Sequence, residues 1–412
     1  MVHCEAAHFA FLRGAPMHKG KLVFAQLNEH LPKPIFRDCV KRYAGRYPTL
    51  SFSHWDQLLC MMFAQLTART SLRDIELCLG SHSRKLYHAG FRSQVARSTL
   101  ADANERRDCR IFEDFAMHLI GVARSLYGQD AFGLDLDQSV YAIDSTTIDL
   151  CLSLFDWAPA TKGRAGVKVH TLLDLRGNIP AFIQITGSRV HDATFLDHLR
   201  LEAGSFYIMD RGYVHMARLV RFCHAGAFFV VRSKYPLKYR VVNSVPTPPA
   251  TPSLVILTDE SIELTGQQTH NTYTWPLRRM EFYLVEQARH ITLLTNHFDL
   301  PASHVAELYK SRWQVELFFK WIKQNLCIKA FVGTSANAVK TQIWCAVCTY
   351  MVVAIVKKRL ALEGSMHAIL PVLSLSLFEV KPLIELLGEQ LLNHETGETE
   401  AQFCLFPEIS GQ

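Results

Sequence analysis

The sequence predicts a mixed α/β protein in which a basic helical region precedes a strand-rich core and the chain closes in helices. Three observations predict it: helical apolar spacing through residues 18–125, short apolar runs bounded by turn residues from residue 138, and a return to helical spacing after residue 300. At 412 residues the chain has material for two or three units of about 150 residues each. With 49% apolar and 20% charged residues it is not a disordered, collagen-like or coiled-coil chain. Eleven cysteines, odd in number and without finger or ribbon spacing, read as reduced thiols. No basic start runs into an apolar export segment. The longest apolar stretch, Ile343 to Val356, has 14 residues and falls short of a bilayer span. A cytoplasmic protein is expected.

Charge divides the chain. Residues 1–130 hold 18 Lys and Arg against 12 Asp and Glu, a balance of +6, while residues 131–412 hold 26 of each. A basic first third on a neutral remainder suggests a polyanion-binding module. A solvated basic helical surface has the same charge count.

Residues 17–130 read as that helical, basic, DNA-binding region. Leu22, Phe24, Leu27 and Leu31 are spaced like a helix with a broad apolar side. Trp55 to Leu66 predicts a second helix, Ser71 caps a third, and Ser98 caps a long one from Thr99 to about Arg124. Arg73, Arg84, Lys85, Arg92 and Arg97 on short helices suit a small DNA-binding bundle, without a clean helix-turn-helix pattern. Residues 1–16 show no periodicity and read as an upstream extension, with translation starting at Met17.

Residues 131–232 change texture. Val140–Asp144, Val167–Asp174, Ala181–Thr186, Phe206–Asp210 and Ala227–Arg232 are strand-like, with a helix at about Val214 to His224. Residues 233–300 form a β-rich insertion: a proline-rich loop from Val245 to Pro252, then strands at Leu254–Leu264, Thr272–Trp275, Met280–Val285 and Ile291–Asn296. A single long helix from about Ala302 to Leu326 follows within 301–330. Residues 331–412 are a helical C-terminal region, with an apolar helix from about Ala336 to Leu360.

Three acids stand out. Asp144 and Asp210 each end an apolar strand, and Glu316 sits in the long helix. A carboxylate placed after buried strand residues needs a compensating cation. Two such acids on one sheet with a third on a helix suit a pair of hard divalent cations of the kind used in phosphodiester chemistry. At about 100° per residue, Tyr309, Arg312, Glu316, Lys320 and Lys323 share one arc of the helix, beside an apolar face of Leu308, Val315, Phe318, Phe319, Ile322 and Leu326. A salt-bridged surface would place Arg312 and Glu316 so, but it does not require Tyr309 and Lys323 in the same column.

Tyr309-x2-Arg312-x3-Glu316-x6-Lys323 resembles the Y-R-E-K signature of bacterial insertion-sequence transposases of the DDE type, in the type-four insertion-sequence family. Ala142-Ile-Asp-Ser-Thr-Thr and Tyr207-Ile-Met-Asp-Arg-Gly-Tyr are similar to that family's segments around its first and second aspartates. The resemblance implies an RNase H-like catalytic core carrying a β-strand insertion between the second Asp and the Glu. It implies that Asp144, Asp210 and Glu316 are the metal-binding catalytic triad for two Mg²⁺ or Mn²⁺ ions. Tyr309, Arg312 and Lys323 then contact DNA phosphates, with Lys320 and Trp313 beside them. The expected partners are the terminal inverted repeats of an element, target DNA and a second copy of the chain in a synaptic complex. The implied activity is cleavage at element ends and joining of 3′-hydroxyls to target DNA. Two other readings stand beside it: a metal-dependent nuclease without strand transfer, and a non-enzymatic, domesticated or inactive DNA-binding protein.

Other features carry less. Lys168 and His170 share a strand face and read first as a satisfied pair. His191-Asp192 follows the strand Ala181–Thr186 and is placed to support the site from behind its ligands. Cys345-x2-Cys348 lacks a second ligand pair for zinc. Gly163 and Gly166 precede no Gly-Lys-Ser/Thr, so ATP is not implied.

Overall fold

Apolar spacing and capping side chains turn the first third of the chain into helices: α1 (Val23–Asn28), α2 (Lys33–Tyr43), α3 (His54–Leu66), α4 (Leu72–Ser81), α5 (Arg97–Arg106) and α6 (Arg110–Tyr127). The computed structural model describes residues 20–44, 51–130, 132, 134, 136–151, 153–155, 157–158, 165–234, 237–325, 331–362 and 365–392. The extension at 1–16, the start at Met17 and Gly163 lie outside the described residues. Ser53 and Asp56 close a reciprocal capping box on α3, with bonds of 3.0 and 2.9 Å. Ser71 caps α4 through the Asp74 N–H at 3.1 Å.

The single helix expected from Thr99 to Arg124 is two helices, α5 and α6. Asn337, far along the chain, splices the break. Its amide donates to the carbonyls of Asn104 at 2.9 Å and Arg107 at 2.6 Å, and its oxygen accepts from the Cys109 N–H at 3.0 Å. One side chain thus satisfies the carbonyls ending one helix and an amide opening the next.

The strands are β1 (Val140–Leu150), β2 (Ala165–Asp174), β3 (Ile179–Gly187), β4 (Phe206–Met209), β5 (Phe228–Arg232), β6 (Tyr239–Ser244), β7 (Leu254–Leu264), β8 (Leu277–Leu284) and β9 (Arg289–Thr295). Helix α7 (Met216–His224) lies between β4 and β5, and α8 (Gln267–Thr272) between β7 and β8. All nine strands join one sheet in the order β3-β2-β1-β4-β5-β9-β8-β7-β6. The meander β1–β2–β3 is antiparallel, whereas β1, β4 and β5 run parallel. With helices on both faces this is the RNase H-like arrangement. The β-rich insertion continues the same sheet, because β9 pairs antiparallel with β5. Thr272–Trp275, expected as a strand, ends α8 and enters a loop instead, with Tyr273 buried against Phe229. Tyr239–Ser244, not expected as a strand, pairs with β7.

Helices α9 (Ala302–Ser311), α10 (Trp313–Asn325), α11 (Ala336–Arg359), α12 (Met366–Ser376) and α13 (Leu383–Leu392) complete the described chain. The 14-residue apolar run Ile343–Val356, too short by itself for a bilayer, lies inside α11, whose 24 residues are by length and composition enough to cross one. Within the fold, 94% of its apolar window is buried, as in a core helix. Side-chain alternation splits the core: Val140 and Ala142 join the helical cluster around α3, α6 and α11, while Tyr141 and Ile143 join a second cluster with Tyr207, Met209 and Phe229.

Candidate active site

The ladder of β1 and β4 ends with Ile143 opposite Met209. Asp144 and Asp210 come next and therefore stand side by side at the edge where that ladder stops. Asp210 follows the end of β4, whereas Asp144 does not end its strand as expected, because β1 runs on to Leu150 paired with β2. Met209 also pairs with Val231 of β5, so Arg232 stands beside Asp210 at the same edge. Arg232 is half-buried, and its burial pulls the guanidinium below its ordinary range.

Opposite this edge, the expected single helix over 301–330 is interrupted. Arg312 forms a tight turn between α9 and α10, with its N–H bonded to the Tyr309 carbonyl at 3.2 Å and its carbonyl to the Val315 N–H at 3.1 Å. The turn aims Arg312 at the sheet. One arm donates to Asp144 Oδ2 at 3.2 Å, the other to Glu316 Oε1 at 2.5 Å, and only 8% of the residue is exposed. Tyr309 is buried and its hydroxyl donates to Asp210 Oδ1 at 3.2 Å. All three acids are thus gathered, two of them by one arginine and the third by the tyrosine a turn earlier.

Burial raises the Asp144 carboxyl to about 7, against the pull of Arg312 and the Ser145 N–H and with the help of Glu316 and Asp210. Three oxygen-donor side chains short of positive charge are the donor set a hard divalent cation takes. Chemically the residues fit Mg²⁺ or Mn²⁺. They are not drawn into a closed cage: among the described residues no three His, Cys, Asp or Glu side chains converge as a metal-ligating group.

The other residues placed on the helix face divide. Lys323 donates to the Thr147 carbonyl of β1 at 3.0 Å, Lys320 is exposed, and Trp313, half-buried, opens α10. In the N-terminal region Arg73, Arg84, Lys85, Arg92 and Arg97 are all exposed. Cys345 and Cys348 are buried inside α11. Sequence reading by acids alone misses Arg232 and Tyr213. Tyr213, two residues beyond Arg211, is buried close enough to Asp144 and Asp192 that burial and their charge push its hydroxyl well above the ordinary range.

Residues 135–352, which carry all three acids and the Tyr309–Lys323 motif, match the family described as the transposase DDE domain. Residues 19–92 match a domain of unknown function. The chain is similar to a Sinorhizobium fredii protein named as a transposase, y4zB, at 34% identity over 62% of this chain and 70% of that one. It is similar to a Geobacillus stearothermophilus protein named as a probable transposase for insertion sequence element IS5377, at 33% identity over 51% of this chain and 54% of that one. Among solved structures, the piggyBac transposase synaptic complex with hairpin DNA covers 90% of this chain and 78% of its own, at a TM-score of 0.41 and 10% identity.

Proposed function

Because the chain belongs to the DDE transposase family, whose members act on DNA with divalent metal, we propose that it cuts DNA at the ends of an insertion sequence and joins the freed 3′-hydroxyls to target DNA. The observation that supports this reading is the gathering of Asp144 from within β1, Asp210 from the end of β4 and Glu316 from the facing helix by buried Arg312 and Tyr309. These three acids hold the metal. Bound there, Mg²⁺ or Mn²⁺ supplies the Lewis acidity that activates water or a 3′-hydroxyl and offsets charge on the leaving oxygen.

The chain's own residues do the rest. Arg312 keeps Asp144 and Glu316 from repelling each other, and Tyr309 holds Asp210. Both turn toward phosphate when DNA enters, together with Lys320, Lys323 and Trp313. The exposed basic residues of the N-terminal region bind element ends, giving salt-dependent affinity. Two copies of the chain bring two ends together.

The test is a cleavage and joining assay on a substrate bearing the element's ends. Asp210→Ala should bind ends and neither cut nor join. A protein that cuts but never joins would be a nuclease on the same core. Metal-dependent cutting by Asp210→Ala would overturn the site.

A further inference from the structure

Behind the acids, on the opposite face of the sheet, lies a polar cluster that the reaction above does not use. Asp192 opens the short helical turn after β3, Asp192–His198. Its Oδ1 accepts from the Ser145 hydroxyl at 2.7 Å and pairs with Lys168 Nζ at 2.9 Å. Lys168 also donates to the Val190 carbonyl at 2.8 Å. His170, fully buried, bonds Thr186 Oγ1 through Nε2 at 2.8 Å, stacks on Phe195 and sets Nδ1 4.0 Å from the Asp192 carboxylate. The register places Ser145 opposite His170 and Lys168 opposite Thr186, so these groups share one face.

Ser145 links this face to the other. Its backbone N–H donates to Asp144 Oδ1 at 2.8 Å while its hydroxyl is held by Asp192. The parallel ladder with β4 stops at Ile143, so at Asp144 and Ser145 only β2 still pairs with β1. The strand needs a second hold at that point. With Lys168 mostly buried and Asp192 34% exposed, this pair contributes little net stability, and what it adds is the position of the Asp192 carboxylate under Ser145.

We propose that Asp192, fixed by Lys168, is a positioning residue for Asp144 that acts through Ser145 and sets the affinity of the site for its divalent cation. The inference rests on the assignment of Asp144 to that cation. Partners of metal-ligating side chains typically change metal affinity about 10–100-fold when removed.

Mn²⁺ titration of the full-length protein without DNA, with thermal unfolding measured in parallel, tests it. Ser145→Ala and Asp192→Asn should each weaken Mn²⁺ binding about 10-fold or more, and the double variant should be no weaker than the worse single. Ser145→Thr keeps the hydroxyl and should bind as wild type. Wild-type affinity in both single variants, additive losses, or a Ser145→Thr as weak as Ser145→Ala would each overturn the proposal. Should Asp192→Asn not fold, the two Ser145 variants decide. Asp144→Asn separates the two levels of the argument. If it abolishes binding, failure of the Ser145 variants refutes the positioning role alone; if it leaves binding intact, the cation assignment falls and the proposal with it.

Discussion

Two buried arginines, Arg278 on a strand of the insertion and Arg312 in the turn between α9 and α10, are used in opposite ways. In the β-rich insertion, Arg278 of β8 is 5% exposed and clasps Asp259 of β7 through two parallel bonds of 2.8 and 2.6 Å. Its remaining nitrogen donates to the carbonyls of Phe298 at 3.1 Å and Leu300 at 2.6 Å. Every donor group is engaged and one cation meets one acid. Arg312 spreads its arms over Asp144 and Glu316, and its buried Nε has no acceptor among the described residues. One cation serves two acids from separate elements, with Asp210 close by. A pair kept for structure closes its bonds, while an open, underneutralised set marks a place where something else must bind.

The largest effects should separate the two regions outright. Asp144→Ala should lose detectable metal-dependent cleavage while end binding stays near wild type and no stability is lost. Arg278→Ala should do the reverse. It strands Asp259 in the core and should cost about 3–5 kcal/mol in denaturant unfolding, with activity per folded molecule preserved. Arg312→Ala should cost clearly less stability, since Asp144 and Glu316 are partly open to water. Equal losses at the two arginines would erase the contrast.

The contrast also has a pH signature. Asp144 is raised to about 7, so between about 4 and 7 the folded protein keeps a proton that the unfolded chain has released. Stability from this group is therefore lost as pH rises through that window. Asp144→Asn, which cannot ionise, should gain on wild type in its urea midpoint from pH 4 to 7, with no further change in the difference below pH 4. A difference that stays flat throughout would mean that Arg312 fully offsets the cost of burying the Asp144 charge. The smallest effect is expected at Lys320, exposed and outside both pairs. Lys320→Ala should leave stability alone and lower the salt slope of end binding by about one.

What the sequence discloses follows the range of the interactions. An acid after an apolar strand run is a local pattern, and the structure sets Asp144 and Asp210 side by side where the β1–β4 ladder stops, although β1 runs on past Asp144 to Leu150, paired with β2 alone. Arg232 carries the same signal after Phe228-Phe-Val-Val, and a search for any charged residue ending such a run finds it. The break at Arg312 has no local signal, because a helical wheel assumes uniform rotation and the guanidinium is drawn to a strand far back in the chain. The break before α6 is likewise made by Asn337 on a distant helix. At Thr272–Trp275, β-branched and aromatic residues suggest a strand, and burial of Tyr273 overrides that preference. Asp192 lies in a turn whose sequence shows nothing of Ser145 or Lys168.

Glu316 offers the most direct test of the central claim, that the acids held around Arg312 and Tyr309 are the metal-binding triad. Glu316→Gln keeps size and hydrogen-bonding capacity and removes only the charge, so the measurement is end binding by gel shift beside Mg²⁺-dependent cleavage of the same DNA. The account predicts binding close to wild type with cleavage below detection. Cleavage at the wild-type rate, or loss of binding with cleavage of whatever remains bound, would show that Arg312 and Glu316 form a structural pair like Arg278 and Asp259.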